Sequence, residues 1–205
     1  MSAVHRTMLR RAAKCLPSLR QAMVQVGPTT LSIRSDMPLS LYLCRSVVGQ
    51  QLSGKAARTI WGRVETHVDA KGSSLVEVIR QDGNGWLRAC GVSRSKSRAI
   101  ASIFEAEDAG LLEAAVLARM DHASRSAQVS QVWGVGQWTC DMLSMFYFAD
   151  PDIWPRADTS TNKVLTSFMQ QEQMKGEAWE AAELFKPYRT YLAMYLWRIA
   201  DIRLP

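Results

Sequence analysis

The sequence predicts an all-α fold, because apolar residues recur at steps of three and four along most of the chain. Period-two alternation with β-branched residues, the pattern of a half-buried strand, is scarce. Ser, Asp, Gly and Pro stand where helices are expected to begin and end. No internal repeat or low-complexity tract interrupts the pattern, so we expect helices joined by short loops.

The helices can be placed from their spacing and their ends. In LSLYLCRSVVGQQLSGKAARTIWGRVETHV, apolar residues recur at helical steps at Leu41, Cys44, Val48, Leu52 and Ala56. Ile60 and Val64 belong to a second helix. The stretch SRSKSRAIASIFEAEDAG begins with Ser and ends with Gly, as helices often do. EAWEAAELFKPYRTYLAMYLWRIADI predicts two further helices, with Pro187 near the start of the second.

Composition limits what kind of protein this is. With 205 residues, 47% of them hydrophobic, the chain can bury one good core or two small ones. The net charge of +6 suggests a polyanionic partner, of which nucleic acid is the commonest, although a merely basic soluble protein is also compatible. No apolar run has membrane-spanning length and no signal-peptide core is present, so we expect a soluble intracellular protein without a membrane partner.

The cysteines and histidines form no local metal motif. The four cysteines are isolated from one another, and we expect reduced thiols rather than disulfides, a zinc site or an iron–sulfur site. They are Cys15, Cys44, Cys90 and Cys140. The histidines, too far apart in sequence to act together locally, are His5, His67 and His122.

The stretch GQQLSGKA, residues 49–56, matches the P-loop pattern G-x-x-x-x-G-K but ends at Ala56, where a P-loop needs Ser or Thr to hold Mg²⁺. Its flanks are predicted to be helical, whereas a P-loop follows a strand, so an ATPase is only a distant alternative.

The same turn presents Gln50, Gln51 and Leu52 between two helices. Proteins that flip a base out of duplex DNA insert such a side chain into the gap, although an ordinary polar turn has the same composition.

The stretch VWGVGQW predicts a helix-turn-helix hairpin that binds DNA phosphates. Gly134 and Gly136 permit a tight turn, and the N-terminus of the following helix offers backbone amides and a positive dipole end. The apolar face of that helix, which anchors the turn to a core, carries Trp138, Met142, Met145 and Phe146. A second basic contact, or simply a solvated helix start, is predicted at Arg94, Lys96 and Arg98.

Asp158 follows this helix, beyond Pro155, at the start of DTSTNKVL. It is a suitable N-cap residue. It is also a suitable catalyst, because cleavage of a glycosidic bond passes through an oxocarbenium-like sugar cation. A nearby carboxylate can stabilise this cation or activate the water that attacks it. The two roles are compatible.

Four stretches together resemble the helix-hairpin-helix DNA glycosylase superfamily, and its 3-methyladenine (alkylpurine) branch in particular. They are SVVGQQLSGKAARTIWGRV, VWGVGQWTCDMLSMF, DPDIWPRAD and PYRTYLAMYLWRIAD. The resemblance runs from about Pro38 to Asp201. It implies two helical domains flanking a DNA-binding cleft, one of residues 37–150 with the hairpin and one of residues 1–36 plus 151–205.

The resemblance also implies roles for individual residues. Asp158 would be the catalytic carboxylate, with Asp141, Asp150 or Asp152 as substitutes should it only cap a helix. Gln51, with Leu52 beside it, would be the DNA wedge. The base pocket would comprise Trp138, Trp197, Tyr191 and Met142. DNA backbone contacts would come from Gly134, Val135, Gly136, Gln137, Thr139, Arg94 and Lys96. Backbone carbonyls of Ser130, Val132 and Val135 would bind Na⁺ or K⁺.

Departures from the family pattern refine the expected activity. Trp138 replaces the lysine of glycosylases that also cut the strand, Trp133 replaces a usual proline, and Met142 replaces a pocket aromatic of some relatives. The resemblance therefore implies a monofunctional enzyme of base excision repair that flips alkylated purines such as 3-methyladenine and 7-methylguanine and leaves an abasic site. It would require no cofactor, act as a monomer on double-stranded DNA, and work at the nucleoid of a bacterium or in a eukaryotic nucleus. A non-catalytic DNA-binding protein is the main alternative.

These classes predict different requirements. We expect release of alkylated bases from duplex DNA to persist in EDTA without ATP, because hydrolysis of the glycosidic bond uses neither, whereas a P-loop ATPase needs ATP and Mg²⁺. Chromatography of the freed base is the measurement. DNA binding without base release from any lesion would instead indicate the non-catalytic alternative.

Overall fold

The computed structural model describes residues 3–202, and within this range all regular structure is helical. In chain order the helices are α1 (Ala3–Cys15), α2 (Pro17–Val26), α3 (Leu39–Gly49), α4 (Gly54–Lys71), α5 (Leu75–Asp82), α6 (Arg94–Asp108), α7 (Ala114–Leu117), α8 (His122–Val129), α9 (Gln137–Phe146), α10 (Thr159–Gln171), α11 (Ala178–Glu183) and α12 (Arg189–Asp201). A short 3₁₀ helix, Gly85–Arg88, lies between α5 and α6. The predicted all-α fold class is confirmed.

Side-chain caps fix where several helices begin, as the sequence predicts. Ser93 accepts the Lys96 N–H at 3.3 Å at the start of α6, and this helix is followed by Gly110 with φ +74°. Asp158 caps α10 in the same way. Pro187 lies two residues before α12.

The chain divides into two compact units. The central unit is Arg34–Leu143, and the terminal unit consists of the two ends of the chain, up to Ile33 and from Ser144 onward. The predicted boundary at residues 150/151 lies seven residues after this division. Residues between the two positions are hydrogen-bonded to the terminal unit: the Asp150 N–H donates to Ser144 O at 2.9 Å, and Thr190 Oγ1 donates to Asp150 O at 2.7 Å.

The central unit is built on α3, which packs against α4 and α6. Of the predicted apolar series, Cys44 and Val48 are buried in α3 and Leu41 is half-buried, whereas Leu52 and Ala56 lie beyond the end of this helix, because the chain turns after Gly49. Fully or almost fully buried side chains of this unit include Leu43, Val47, Leu87, Ile100, Ile103, Leu117 and Leu143. This core supports the turn between α3 and α4 and the hairpin between α8 and α9.

The terminal unit packs α10 against α12, α11 and α2, and α1 against α2. Its core contains Met8, Leu16, Leu19, Met23, Leu165, Phe185 and Leu196. A buried hydrogen bond joins His5 of α1 to the Tyr195 hydroxyl of α12. Sequence-distant ends of the chain therefore share one core.

All four cysteines are free thiols, and Cys44, Cys90 and Cys140 are buried. Burial raises the pKa of Cys140 to about 11, so this thiol is protonated at neutral pH. In residues 3–202 no helix is long and apolar enough to cross a membrane.

The P-loop alternative is excluded by local structure. GQQLSGKA begins at the last residue of α3, passes through a turn and enters α4. The preceding element is thus a helix rather than a strand. Ser53 Oγ accepts the Ala56 N–H at 3.2 Å as an N-cap, so the turn begins an ordinary helix.

Candidate active site and nucleic-acid interface

The hairpin is formed by α8 and α9 with the turn Ser130–Gly136 between them. Gly134 has φ +86°, in the left-handed region that favours glycine. A Cβ added there would lie 2.4 Å from Ala99 Cβ of α6. Glycine is therefore required at this position both for the turn and for close packing of the turn on α6.

Gly136 differs from Gly134, because its φ is ordinary and no atom lies within 4 Å of where its Cβ would be. Gly136 and Gln137 are exposed at the start of α9. The first amides of a helix lack intrahelical acceptors and carry its positive dipole end. Nothing within the described chain requires glycine here, and the open space suits the close approach of a phosphate.

Two predicted backbone contacts are instead internal. Thr139 is 1% exposed; its N–H donates to Gly136 O at 2.9 Å and its hydroxyl accepts a hydrogen bond from Gln50. Val135 is 4% exposed and its N–H donates to Val132 O at 3.0 Å. Both donors are used inside the hairpin, so the surface left for phosphates is at Gly136 and Gln137.

The turn between α3 and α4 presents the predicted wedge residues. Gln51 is exposed and has φ +57°, an uncommon conformation for a residue with a side chain. Leu52 is 38% exposed, and its N–H donates to Gly49 O at 3.2 Å. Strained backbone of this kind often occurs at functional sites, where surrounding contacts maintain it.

Gln50, the first glutamine of the turn, supplies such contacts instead of pointing to a role as the wedge. Its Nε2 donates to Thr139 Oγ1 at 2.9 Å and to Gly134 O at 3.2 Å. The wedge turn is thereby bonded to the hairpin. No local pattern could reveal this, because the partners are more than 80 residues away in sequence.

Lys96 also has a different role from the predicted phosphate contact. Its Nζ donates to Val48 O at 2.9 Å and to Gln50 O at 2.8 Å, at the C-terminal end of α3. Burial lowers the pKa of this ammonium from its ordinary value. Lys96 is half-buried and stabilises the wedge turn, since cations are favourable at helix C-termini.

The other basic residues of this helix remain at the surface. Arg94 is exposed. The Arg98 guanidinium lies 4.3 Å from the ring centroid of Trp133, a hairpin residue that is 42% exposed. This cation–π contact packs the Trp133 side chain against α6.

A buried polar cluster holds the two hairpin helices together. Asp141 of α9 is 2% exposed. His122 Nε2 of α8 lies 3.0 Å from Asp141 Oδ1, and Gln137 Nε2 donates to the same oxygen at 2.8 Å. Asp141 therefore has a structural role in the hairpin, which argues against it as a substitute catalyst.

Asp158 is half-buried in the terminal unit and accepts two hydrogen bonds on one oxygen. Its Oδ1 accepts the Thr161 N–H at 2.8 Å, which caps α10, and Trp197 Nε1–H at 3.1 Å. The Trp197 ring lies 6.1 Å from that of Phe146. The structure thus brings together Asp158 and Trp197, which were predicted separately as catalyst and pocket residue.

The remaining acidic candidates are engaged elsewhere. Arg189 Nε donates to Asp152 Oδ1 at 2.8 Å and its Nη2 to Oδ2 at 3.0 Å. Asp150 Oδ1 accepts the Asp152 N–H at 3.0 Å. Both carboxylates shape the segment that leads to α10, whereas Asp158 stands beside aromatic rings.

The other predicted pocket residues differ in exposure. Trp138 and Tyr191 are half-buried, and the Tyr191 ring lies 6.1 Å from that of Tyr188. Met142 is only 6% exposed, and its carbonyl accepts the Tyr42 hydroxyl at 2.9 Å. It lies on the buried face of α9 and is a core residue of the central unit. This burial differs from the place predicted for Met142 in the base pocket.

Comparison with known proteins agrees with this arrangement. No family model matches the chain. DNA-3-methyladenine glycosylase 1 of Schizosaccharomyces pombe is 29% identical over 163 residues, which are 78% of this chain and 72% of that protein. The alkylbase DNA glycosidase-like protein mag2 of the same organism is 27% identical over 201 residues, 94% of each chain.

Solved structures give the same resemblance. The S. pombe 3-methyladenine DNA glycosylase Mag1, in complex with abasic DNA, superposes with a TM-score of 0.75 at 27% identity, covering 89% of this chain and 90% of that one. Sequence and structure thus agree on one resemblance: the chain is similar to 3-methyladenine DNA glycosylases, as its helix-hairpin-helix motifs predict. A DNA-3-methyladenine glycosidase from Bacillus halodurans gives a TM-score of 0.76 at 27% identity and covers 97% of this chain and 89% of its own.

The two hairpin glycines should respond differently to alanine. Gly134→Ala should lower the free energy of unfolding by about 2–4 kcal/mol, because the new methyl group meets Ala99 and the backbone is left-handed. Gly136→Ala should change it by less than about 1 kcal/mol, yet weaken DNA binding by filling the space open to a phosphate. Urea unfolding and fluorescence anisotropy measure the two effects; equal destabilisation by both changes would contradict this account.

Proposed function

We infer that this protein is a monofunctional DNA glycosylase of base excision repair, which hydrolyses the N-glycosidic bond of alkylated purines. The observation that carries the catalytic assignment is the half-buried Asp158 carboxylate, hydrogen-bonded to the Trp197 indole and flanked by aromatic rings. The similarity of this chain to 3-methyladenine DNA glycosylases supports the choice of reaction and of substrate.

The reaction requires that the bond between C1′ and the base nitrogen breaks, with its electron pair leaving on the base. The deoxyribose then carries oxocarbenium character, and water adds to C1′. Asp158 either stabilises this cation electrostatically or accepts a proton from the attacking water. Two N–H donors on Oδ1 hold the carboxylate in one orientation, so little reorganisation is needed when the positive charge develops.

Substrate recognition is proposed to rest on stacking. A methylated purine such as 3-methyladenine carries positive charge or an electron-poor ring, which is attracted to aromatic faces. Trp197, Tyr191 and Trp138 supply such faces. Alkylation also improves the base as a leaving group, so one oriented carboxylate is a sufficient catalyst.

DNA is proposed to be bound by the hairpin and opened by the wedge turn. The start of α9, at Gly136 and Gln137, would bind the backbone without regard to sequence. Gln51, with Leu52, would occupy the space vacated by the flipped nucleotide. The carbonyl oxygens of Ser130, Val132 and Val135 would hold Na⁺ or K⁺, since neutral oxygen donors suit hard cations. No cofactor takes part in the reaction.

We further propose that the enzyme acts as a monomer on double-stranded DNA, at the nucleoid of a bacterial cell or in the nucleus of a eukaryotic one. Each element named above belongs to a single chain. Analytical ultracentrifugation with and without duplex DNA tests the stoichiometry.

Replacement of Asp158 by asparagine should separate catalysis from capping. Asp158→Asn keeps an oxygen that can accept from Thr161 and Trp197 but removes the charge, so stability should change little while single-turnover base release falls roughly 100-fold or more. The rate of release should fall less for positively charged leaving bases than for neutral ones, because a charged base departs more easily. The affinity for lesion DNA should persist or rise, because a carboxylate near phosphates repels the substrate.

Asp121→Asn is the matched control. Asp121 caps α8 through the Ser124 N–H at 2.7 Å, so the same chemical change is made at an equivalent cap in the central unit. This variant should retain wild-type base release. If Asp158→Asn unfolds but keeps its activity per folded molecule, Asp158 is only a cap.

The absence of a lysine at position 138 makes a further outcome testable. Trp138 has no amine to form a Schiff base with C1′ of the sugar. We expect the reaction to leave intact abasic strands that break only on alkali treatment, as measured on denaturing gels. Strand nicking without alkali, or a covalent complex trapped by borohydride, would show that the enzyme is also a lyase.

A further inference from the structure

The net charge of the protein is concentrated at one end of the chain. Of the 25 Lys and Arg residues, six lie among residues 1–35, and this segment contains no Asp or Glu. The other 19 basic residues are balanced by all 19 acidic ones. The formal charge of +6 is therefore carried, in effect, by the first 35 residues, none of which the proposed reaction uses.

The structure arranges four of these residues on one face of α1 and α2. Arg6, Arg10 and Lys14 are four residues apart on α1, so they form a stripe with a rise of about 6 Å between neighbours. All three are exposed, as is Arg20 on α2. We refer to Arg6, Arg10, Lys14 and Arg20 as the basic face.

The basic face is concave rather than a scatter of surface charges. Arg6, Arg10 and Arg20 line one depression at α1 and α2, together with Leu9 and Ala13. Arg10 and Lys14 line a second depression, together with Leu184. Because Arg10 lines both, the two depressions are neighbours, and a row of cations along them suits an extended polyanion better than an isolated carboxylate.

Internal ion pairs do not account for three of these four charges, and Arg10 Nη2 donates to a hydroxyl, Thr7 Oγ1, at 3.3 Å. In the part of the chain that the structure describes, Arg10, Lys14 and Arg20 form no ion pair with a carboxylate. Like charges four residues apart on a helix repel. Arg11 is the contrasting case, because it is half-buried and donates to Leu184 O at 2.7 Å, which gives it a structural role. Glu172 accepts the Ser18 N–H at the start of α2, at 2.8 Å.

We propose that the basic face is a second DNA-binding surface, which binds the phosphate backbone of duplex DNA without regard to sequence or damage. The choice of DNA as the polyanion rests on the proposed function. Guanidinium groups bind phosphate oxygens through paired N–H donors, and Lys14 adds a point charge. Such contacts raise the affinity for undamaged DNA, on which a repair enzyme spends its search, and leave the chemistry at Asp158 unchanged.

The test compares two triple variants with the same change in charge. Arg10→Gln, Lys14→Gln and Arg20→Gln together neutralise the basic face. Three exposed cations outside the hairpin, the wedge turn and the Asp158 site serve as the control: Arg88→Gln, Arg119→Gln and Lys175→Gln. All six side chains are exposed, so both variants should unfold at the wild-type temperature.

Binding to a lesion-free duplex is measured by fluorescence anisotropy over a series of NaCl concentrations. For three lost phosphate contacts, the slope of log K against log salt should become shallower by about 2.7, and affinity at low salt should fall at least about tenfold. The control variant should retain the wild-type slope. An unchanged slope, or equal losses in both variants, would overturn the proposal. So would a face variant that binds DNA normally but no longer binds polyglutamate, since the partner would then be an acidic protein.

Single-turnover base release at saturating enzyme separates this proposal from the proposed function. The face variant should release 3-methyladenine from a short lesion duplex at the wild-type rate. If the wild-type protein releases no base while the salt slope still falls in the face variant, the catalytic assignment fails and the DNA-binding surface stands. If the wild-type protein releases base normally and the salt slope of the face variant is unchanged, the catalytic assignment stands and the second DNA-binding surface is ruled out.

Discussion

The hydrogen bond from Trp197 Nε1 to Asp158 Oδ1 is the interaction on which the proposed chemistry depends. A half-buried carboxylate must be satisfied by donors, and here the Thr161 amide and the indole provide them on one oxygen. The first bond ties the carboxylate to the start of α10 and the second to α12. Because α10 and α12 pack together, the position of the catalyst is set by the core of the terminal unit rather than by a mobile loop.

A second constraint organises the DNA-binding elements of the central unit. The backbone of Gly134 approaches Ala99 so closely that no side chain fits between them, which holds the hairpin against α6. Gln50 then bonds the wedge turn to the hairpin, and Lys96 of α6 bonds to the carbonyls that end α3. The proposed backbone-binding surface and the proposed wedge are thereby held by one packed assembly of α3, α6 and α9. This explains how an exposed residue with a strained backbone, Gln51, is held in place.

The basic residues of the protein have two different roles. In the central unit, the half-buried Lys96 is used for internal structure, while Arg98 packs on Trp133 at the hairpin. On α1 and α2, four exposed cations form the basic face, within the 35-residue segment that carries the formal net charge of +6. A basic sequence motif is therefore a poor guide to phosphate contacts by itself, because burial and internal acceptors decide which cations remain available.

The sequence by itself determined the helices, their caps and the identity of the motifs, since periodicity, Ser and Asp caps and the two hairpin glycines are local signals. It could name Asp158, Trp197, Gln51 and Gly136 as candidates for this reason. Only the tertiary structure decided that Lys96, Thr139 and Met142 are internal, that Gln50 joins the wedge turn to the hairpin, and that Trp197 bonds to Asp158. These outcomes depend on which groups meet across 39 to 100 residues of chain, and helical spacing carries no information about partners at such separations.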